Sequence, residues 1–200
     1  MGNLSVTEFS TLDGVMQGPG GPGEDVEGGF DHSGWQAPYG DAESGDLILK
    51  SILKQDALLI GRKTYDIWVK YWPQMHDPIG DQFNAIPKFV VSRTLTDPEW
   101  TGTTVIRDVA SEVADLKSTY GDIRVWGSGE LLTTLLAHDL VDQLDLFVYP
   151  VVLGEGKRVF RDGSIPSALE LVDGPRGFSG GVVMTSYRRT GSPEYGDVSP

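Results

Sequence analysis

The sequence predicts an α/β domain, in which a mostly parallel sheet is covered by helices on both faces and carries antiparallel strands at one edge. Three observations lead to this class. The chain opens on an alternating stretch rich in β-forming residues at 4–12. Short apolar runs then alternate with amphipathic stretches as far as residue 137, the order that parallel strands and crossover helices require. From residue 141 onward the apolar stretches follow one another without a helix between them, which indicates antiparallel strands.

Hydrophobic periodicity predicts the individual elements. Apolar residues that recur every third or fourth position predict a helix, whereas alternating or short continuous apolar runs predict a strand. The predicted helices span residues 41–54, 63–71, 109–119 and 130–137. The predicted strands span residues 4–12, 57–60, 88–92, 104–106, 123–126, 141–152, 169–172 and 182–188. Residues 13–39 form a long connection rich in Gly and Pro, and residues 73–87 are predicted to be irregular.

Length and composition fit one folded domain. The chain has 200 residues, of which 39% are hydrophobic, and no repeat or linker divides it. We expect a single domain over residues 1–190, followed by a flexible polar tail over residues 191–200.

Charge and cysteine content argue against several functions. The formal net charge is −13, whereas nucleic acids and anionic membranes are bound by basic surfaces. Cysteine is absent, which excludes disulfides and thiolate metal sites and fits a cytoplasmic protein. Residues 1–8 lack the features of a secretory signal, and the longest apolar run, 146–153, is too short to span a bilayer. His32, His76 and His138 are scattered without metal-ligand spacing, so we expect no metal site.

The stretch from residue 122 to residue 132 is the most informative part of the chain. A short apolar strand leads into the turn Gly127-Ser128-Gly129, and an amphipathic helix begins at Glu130. Small residues let the backbone approach a ligand closely, and the free N–H groups at the start of a helix point towards an anion. We therefore predict that these four residues bind a cofactor phosphate, the alternative being a plain tight turn.

A second strand–turn–helix of the same kind contains Gly61, Arg62 and Thr64. The Arg62 guanidinium can donate two hydrogen bonds to a phosphate, and the Thr64 hydroxyl can donate another. Ser92 and Arg93 follow a further apolar strand. Two such turns predict a ligand with more than one phosphate, hence a nucleotide cofactor. The alternative for both arginines is a solvated surface position.

Five motifs occur in an order that resembles the dihydrofolate-reductase-like superfamily. They are Thr11-Leu12-Asp13-Gly14-Val15, Gly61-Arg62-Lys63-Thr64-Tyr65, Val90-Val91-Ser92-Arg93-Thr94, Trp126-Gly127-Ser128-Gly129 and Pro150-Val151-Val152-Leu153-Gly154-Glu155-Gly156-Lys157. The chain is most similar to the reductase (C-terminal) domain of the bacterial riboflavin biosynthesis protein RibD, over roughly residues 3–189. The resemblance implies a three-layer α/β/α fold with NADPH bound across the carboxyl ends of the strands.

The resemblance also assigns roles to the predicted cofactor residues. It implies that Gly61, Arg62 and Thr64 serve the phosphates, and that Ser92 and Arg93 form the pocket for the adenosine 2′-phosphate. Arginine at both places favours NADPH over NADH, because NAD-selective sites often carry a carboxylate there. The resemblance further implies a cis peptide bond between residues 127 and 128, and a homodimer in which the stretch 144–152 packs across the interface.

The expected activity is NADPH-dependent reduction of a small heterocyclic substrate. Candidate substrates are 5-amino-6-(5-phosphoribosylamino)uracil, as in riboflavin synthesis, and a dihydropterin. The zinc-deaminase signature needs cysteine, so a complete two-step riboflavin enzyme is excluded. Residues 16–29, hereafter the glycine-rich loop, are a candidate lid over the site.

The sequence identifies the residues that would contact the substrate less clearly than those that would bind the cofactor. Asp13 and Gly14 end the first strand, and Trp35 lies in the long connection, so all three are candidates for substrate binding. The alternatives are an ordinary Asp-Gly turn and a loop anchor.

A catalytic acid is expected near the start of the first helix. Dihydrofolate reductases orient the pteridine with one buried carboxylate there, and Asp41, Glu43 and Asp46 lie in this region. The spacing back from Gly61 favours Asp46, and the spacing forward from Trp35 favours Asp41, so both are retained as candidates. The alternative is a solvated helix N-terminus, where acidic residues are common.

Two further functions stay open on the sequence alone. A true dihydrofolate reductase would need one buried acid that faces the pocket. A nucleotide-binding module without catalysis would bind NADPH but not oxidise it.

Overall fold

A computed structural model describes residues 2–197. The strands are β1 (Asn3–Thr11), β2 (Ala57–Gly61), β3 (Lys88–Val91), β4 (Thr103–Ile106), β5 (Asp122–Trp126), β6 (Gln143–Tyr149), β7 (Ala168–Gly177) and β8 (Val183–Gly191). The helices are α1 (Ala42–Lys54), α2 (Arg62–Trp68), α3 (Pro78–Ala85), α4 (Val109–Thr119) and α5 (Gly129–Ala137). No helix among the described residues is both long and apolar enough to cross a membrane.

The eight strands form one mixed sheet in the order β4-β3-β2-β5-β1-β6-β8-β7. All neighbours from β4 to β6 are parallel, whereas β8 is antiparallel to both β6 and β7. The three-layer α/β/α class, with a mostly parallel sheet and antiparallel C-terminal strands, is therefore confirmed.

Successive residues of β1 face opposite layers of the fold. Leu4 and Val6 are buried in one core with the leucines of α5 and with Val113 of α4. Phe9 faces the other layer, where it packs with Ile48 of α1. Polar residues of β1 therefore lie under one layer or the other according to their position in this alternation.

Strands β1 and β5 separate at their carboxyl ends. Their register ends at the pair Thr7 and Trp126, and the last hydrogen bond runs from the Gly127 N–H to the Thr7 carbonyl at 3.0 Å. Strand β1 continues along β6 as far as Thr11. This separation leaves an opening at the edge of the sheet where ligands of α/β proteins bind.

Residues 73–87 are not irregular throughout, as the sequence pattern predicted, because α3 occupies Pro78–Ala85. The Asp77 side chain accepts hydrogen bonds from the N–H groups of Ile79 and Gly80, at 3.0 and 2.8 Å. Beyond the helix, the buried Lys88 ammonium donates to the carbonyls of residues 83, 84 and 86. The Asp-Pro pair at the start was the available signal, and the Gly, Asp and Asn residues inside the helix obscured it.

The C-terminal strands differ from the prediction in position. The stretch 144–152 does not face a second copy of the chain through a free edge, since β6 lies between β1 and β8. The edge strand at this end of the sheet is β7, which runs for ten residues and is largely exposed, and β4 is the edge strand at the other end. The tail predicted over 191–200 is described only as far as residue 197, and its last three residues lie outside the described residues.

Candidate cofactor and substrate site

A cavity of about 1130 Å³ lies at the carboxyl ends of the parallel strands. Both predicted phosphate turns line it, and so do residues 91–94 at the end of β3. The volume exceeds the range of about 300–1,000 Å³ typical of small-molecule pockets. One cavity thus brings together all the residues predicted to bind the cofactor, as follows: Gly61, Arg62, Thr64, Ser92, Arg93, Gly127, Ser128, Gly129 and Glu130.

The hydroxyl of Ser128 joins the two phosphate turns, 61–64 and 127–130. Ser128 Oγ accepts a hydrogen bond from the Gly61 N–H at 3.0 Å and lies 2.7 Å from Thr64 Oγ1. The two turns therefore share one wall of the cavity.

The backbone of the second turn leaves the start of α5 open to a ligand. Gly127 and Ser128 have φ values of 63° and 70°, in the left-handed region. Ser128 precedes the first helical residue, yet its side chain does not cap the helix, because its hydroxyl is directed to the other turn. The first N–H groups of α5 therefore have no side-chain cap, as an anion site requires.

The expected cis bond between residues 127 and 128 is not found. Within residues 2–197 the only cis peptide bond is Gly174–Pro175. In this chain the turn is formed by two successive positive φ values instead.

Ser92 shapes the third part of the cavity wall. Its Oγ accepts hydrogen bonds from the N–H groups of Thr94 and Leu95, at 3.3 and 3.1 Å. Arg107 donates from its guanidinium to the carbonyls of Ser92 and Leu95 and so holds this turn from behind. The turn directs Arg93 to the cavity.

Six of the sixteen basic residues line the cavity, although the chain is strongly acidic. Five of them already have acidic partners: Arg62 pairs with Asp66, Lys63 with Glu27, Lys157 with Asp25 and Glu27, Arg158 with Asp13, and Arg161 with Glu130. The sixth, Arg93, makes no hydrogen bond or ion pair with any residue in the range 2–197. Arg93 is therefore the cation on the described cavity wall that stays available to a ligand anion.

The glycine-rich loop covers one side of the cavity and is held there by polar contacts. Lys157 Nζ lies 2.6 Å from Asp25 and 2.7 Å from Glu27, and Lys63 Nζ lies 3.1 Å from the same Glu27. Burial opposes the charged form of Lys157, but hydrogen bonds with both acids raise its pKa above the ordinary value. The buried Gln17 side chain adds hydrogen bonds to the carbonyls of the same two acidic residues.

Asp13, Gly14 and Trp35 do not line the cavity. Asp13 accepts hydrogen bonds from Thr11 Oγ1 at 2.6 Å and from the Gly154 N–H at 2.8 Å, and Gly14 adopts a φ of 84° in the same turn. The indole of Trp35 is buried and donates to the Gln17 carbonyl at 2.7 Å. These residues hold the segments around the cavity, and direct contact with substrate stays a prediction for each of them.

Asp41 and Asp46 also lie away from the cavity wall, as does Glu43. Asp41 caps α1 by accepting from the Ser44 N–H at 2.8 Å, and it accepts from the Ser179 hydroxyl at 2.6 Å. These hydrogen bonds hold the pKa of Asp41 well below its usual value, so it has no proton to donate near neutral pH. The catalytic role stays a prediction that their positions do not support.

An aromatic lobe extends the cavity beneath α1 and α2. Its members are apolar and mostly aromatic: Phe9, Ile48, Ile52, Trp68, Trp72, Phe83 and Trp126. The rings of Phe9 and Trp126 are stacked, with centroids 6.3 Å apart. The lobe offers a planar ring an apolar surface next to the phosphate turns.

Glu8 is a cavity residue that the sequence analysis missed. It is fully buried in the middle of β1, and neither carboxylate oxygen has a hydrogen-bond partner among the described residues. Burial raises its pKa to about 8. The available signal was the alternation of β1, which places this acid on the same face as Leu4 and Val6.

One group of possible metal ligands lies on the surface. Asp31, His32 and Glu155 each place one ligand atom within 4.8 Å of the others, and all three are exposed. His32 lies 3.3 Å from Asp31 and 3.5 Å from Glu155, as in an ordinary surface ion pair.

Residues 3–176 match the family model for the RibD C-terminal domain. The chain belongs to the RibD C-terminal domain family. The uncharacterized protein YyaP of Bacillus subtilis (strain 168) is 36% identical over 153 residues, which cover 73% of this chain and 81% of YyaP. Family membership confirms the resemblance drawn from the five motifs and indicates a reductase of the riboflavin-pathway type.

Solved structures show the same fold at low identity to this RibD C-terminal domain. A putative riboflavin biosynthesis protein from Shewanella sp. PV-4 superposes with a TM-score of 0.72 at 19% identity, over 94% of this chain and 99% of that protein. Dihydrofolate reductase from Enterococcus faecalis, complexed with NADP(H) and RAB-propyl, superposes with a TM-score of 0.56 at 16% identity, over 94% of this chain and 96% of that enzyme. The dihydrofolate-reductase-like fold is therefore confirmed.

The Ser128 hydroxyl is expected to stabilise the junction of the two turns. Ser128→Ala leaves the Gly61 N–H without its partner and keeps a side chain at positive φ, so we expect a loss of about 1–3 kcal/mol in the free energy of unfolding. Ser128→Gly removes the same hydroxyl but suits the left-handed backbone, which recovers about 1 kcal/mol. Urea unfolding of both variants measures the two effects. Equal stability of Ser128→Ala and the wild type would show that the hydroxyl is dispensable.

The raised pKa of Glu8 is expected to make stability depend on pH. Between the ordinary value of 4.5 and the folded value of about 8, the folded chain keeps a proton that the unfolded chain releases. The free energy of unfolding therefore falls as pH rises through this window, by on the order of 1 kcal/mol per pH unit, and is level above it. Glu8→Gln removes this contribution, whereas Glu43→Gln on the exposed side of α1 serves as the matched control. Urea unfolding at several pH values checks this, and parallel curves for wild type and Glu8→Gln would contradict it.

Proposed function

We propose that the protein is an NADPH-dependent reductase of a small heterocyclic substrate, of the class of 5-amino-6-(5-phosphoribosylamino)uracil. The observation that carries this proposal is the contact of Ser128 with both Gly61 and Thr64, since it unites two phosphate turns on one cavity wall. Membership of the RibD C-terminal domain family supports the same class of reaction.

The residues of the cavity fit a dinucleotide phosphate. The uncapped start of α5 can hold the pyrophosphate through backbone N–H groups, at turn positions where small residues allow a close approach. Arg62 donates to Asp66 and Thr94, so it bridges the first turn to the 92–94 turn and reaches the ligand from a fixed position. Arg93, which has no described partner, suits the 2′-phosphate that distinguishes NADPH from NADH.

The chain itself supplies orientation and exclusion of water. The cofactor supplies the hydride when it is bound. Phe9 and Trp126 offer a flat apolar surface beside the opening between β1 and β5, where a planar substrate ring can lie. The glycine-rich loop, held by Lys157 and Lys63, shields the same space from solvent.

A dihydropterin is the less well supported substrate. Its reduction in dihydrofolate reductases uses an acid near the start of the first helix, and the acids that the sequence offered there do not line the cavity. The aminopyrimidine class is therefore the substrate that we favour.

Cofactor binding and turnover test the proposal directly. Titration of tryptophan fluorescence with NADPH is expected to give a micromolar dissociation constant, and NADPH is expected to be oxidised in the presence of the aminopyrimidine. Absence of NADPH binding would refute the proposal. Binding without oxidation across a panel of pyrimidines and pterins would instead favour a non-catalytic nucleotide-binding module.

Arg93 is expected to determine the preference for NADPH. Arg93→Ala removes a charge-assisted hydrogen bond to the 2′-phosphate, so the KM for NADPH rises about tenfold to a hundredfold, while the KM for NADH is unchanged. Arg176→Ala, on the exposed strand β7, is the matched control that leaves both constants unchanged. An equal rise for NADPH and NADH would place the contact elsewhere than on the 2′-phosphate.

We further propose that the chain forms a homodimer through the exposed edge of the sheet. Leu169, Leu171, Val172 and Val183 are 37–44% exposed and lie along β7 and β8, so this edge presents apolar groups that a second copy can cover. Leu171→Lys is expected to shift the protein to a monomer in analytical ultracentrifugation. A wild-type protein that sediments as a monomer would contradict this proposal.

A further inference from the structure

We propose that the carboxyl group of Glu8 binds the amide-bearing ring of the ligand that enters the opening between β1 and β5. The inference rests on the proposed function, because the ligand concerned occupies the same cavity. It adds a binding residue on β1 that neither the phosphate turns nor the acids of α1 provide.

Glu8 is placed at the point where the sheet opens. The last hydrogen bond between β1 and β5 reaches the carbonyl of Thr7, and Glu8 is the next residue along the strand. On the other side, Glu8 is paired in register with Leu146 of β6. It therefore lies beside Gly127, at the level where the second phosphate turn begins.

The carboxyl group is buried, and no residue between 2 and 197 forms a hydrogen bond with it. Glu8 has no exposed surface, both of its oxygens lack hydrogen bonds among the described residues, and it lines the cavity. An unsatisfied polar group of this kind costs about 1–3 kcal/mol, and more if it is charged. Such groups are uncommon in native structures, and a ligand that supplies the missing hydrogen bonds accounts for this one.

Burial alone keeps the carboxyl group protonated near neutral pH, since it raises the pKa to about 8. The elements packed on this face are α4, α5, the segment after β6 and the glycine-rich loop through Met16. Their charged residues on the cavity wall are Glu24, Asp25, Glu27, Glu130, Lys157, Arg158, Arg161 and Asp162, and none of them shifts this pKa. Six of these eight, all but Glu24 and Asp162, are engaged in ion pairs with other side chains. A protonated carboxyl group both donates and accepts a hydrogen bond.

An amide presents the complementary pair, one N–H and one carbonyl oxygen. Nicotinamide carries such a group as its carboxamide, and a uracil ring carries it within the ring. The shared chemistry is therefore an amide on a planar ring, and the two sources are distinguished by experiment.

The test compares the wild type with Glu8→Leu, which removes both hydrogen bonds, and Glu8→Gln, which keeps a donor and an acceptor without titrating. The probes are NADPH, 2′-phospho-ADP-ribose, which lacks the nicotinamide, and the aminopyrimidine substrate. Glu99→Gln, at an exposed position outside the cavity wall, is the control, and circular dichroism confirms that each variant is folded. Carbon-13 NMR of labelled glutamate carboxyl groups identifies the Glu8 signal by its absence from Glu8→Gln.

Two results support the proposal and identify the source of the amide. If the amide is that of nicotinamide, Glu8→Leu binds NADPH about tenfold more weakly, binds 2′-phospho-ADP-ribose unchanged, and Glu8→Gln restores NADPH binding. If the amide is that of the substrate ring, Glu8→Leu keeps its NADPH affinity and raises the KM for the aminopyrimidine instead. In either case the affinity of the wild type falls as pH rises through about 8, whereas that of Glu8→Gln does not.

Other results overturn the proposal. Wild-type affinities and KM values in Glu8→Leu would do so, as would an NMR titration of Glu8 with an ordinary carboxyl pKa. These outcomes leave NADPH binding intact and so differ from failure of the proposed function, in which the wild type binds neither NADPH nor 2′-phospho-ADP-ribose. That failure removes the present inference as well.

Discussion

The site depends on one side-chain hydroxyl, that of Ser128, which holds two separate crossover connections together. The turn after β2 and the turn after β5 come from strands that are adjacent in the sheet but more than sixty residues apart in sequence. Adjacent parallel strands bring their carboxyl ends to the same edge, but they do not fix the distance between the loops that follow. The hydrogen bonds of Ser128 with Gly61 and Thr64 fix that distance. The requirement also explains why a serine accepts a left-handed backbone here, because a glycine would have no hydroxyl to offer.

The distribution of charge in the cavity is a second constraint on its ligand. Although the chain is acidic, six basic residues line this one cavity, and five of them form ion pairs with carboxylates of the same chain. The five paired cations hold the loop and the turns in place, so they determine the shape of the cavity more than its net charge. Arg93 is different, since the turn made by Ser92 and supported by Arg107 presents it without a partner among the described residues. Selectivity for a doubly anionic group can therefore reside in a single guanidinium.

Sequence reasoning recovered the sheet and the two places where a strand passes through a tight turn into a helix, because both are encoded locally. Periodicity marks the strands, and Gly127 and Gly61 mark the turns where a strand passes into a helix. Helix α3 was not predicted because several of its residues have poor helix propensity. Hydrogen bonds with the side chains of Asp77 at its start and Lys88 beyond its end stabilise it. Both sets of contacts lie within five residues in sequence, but they join side chains to backbone groups, which hydrophobic periodicity does not register.

The candidate site was harder to predict than the fold. Asp41 lies at a helix start, where an acidic residue suits a helix cap as well as a catalytic acid. In the structure it accepts hydrogen bonds from the Ser44 N–H and from the distant Ser179 hydroxyl, so it caps α1. Glu8 looked like one polar residue of an alternating strand until the separation of β1 from β5 placed it in a cavity. Its burial is a property of the assembled sheet, not of its neighbours in sequence.

The ion pairs that hold the glycine-rich loop to Lys157 and Lys63 respond to the salt concentration around the protein. Glu27 and Lys63 are both more than half exposed, and Lys157 is 40% exposed, so dissolved ions reach these pairs. Mobile ions weaken such pairs progressively as their concentration rises. Rising salt is therefore expected to loosen the attachment of the glycine-rich loop at the cavity wall, whereas the hydrogen bonds that the buried Gln17 makes within this loop are shielded from dissolved ions.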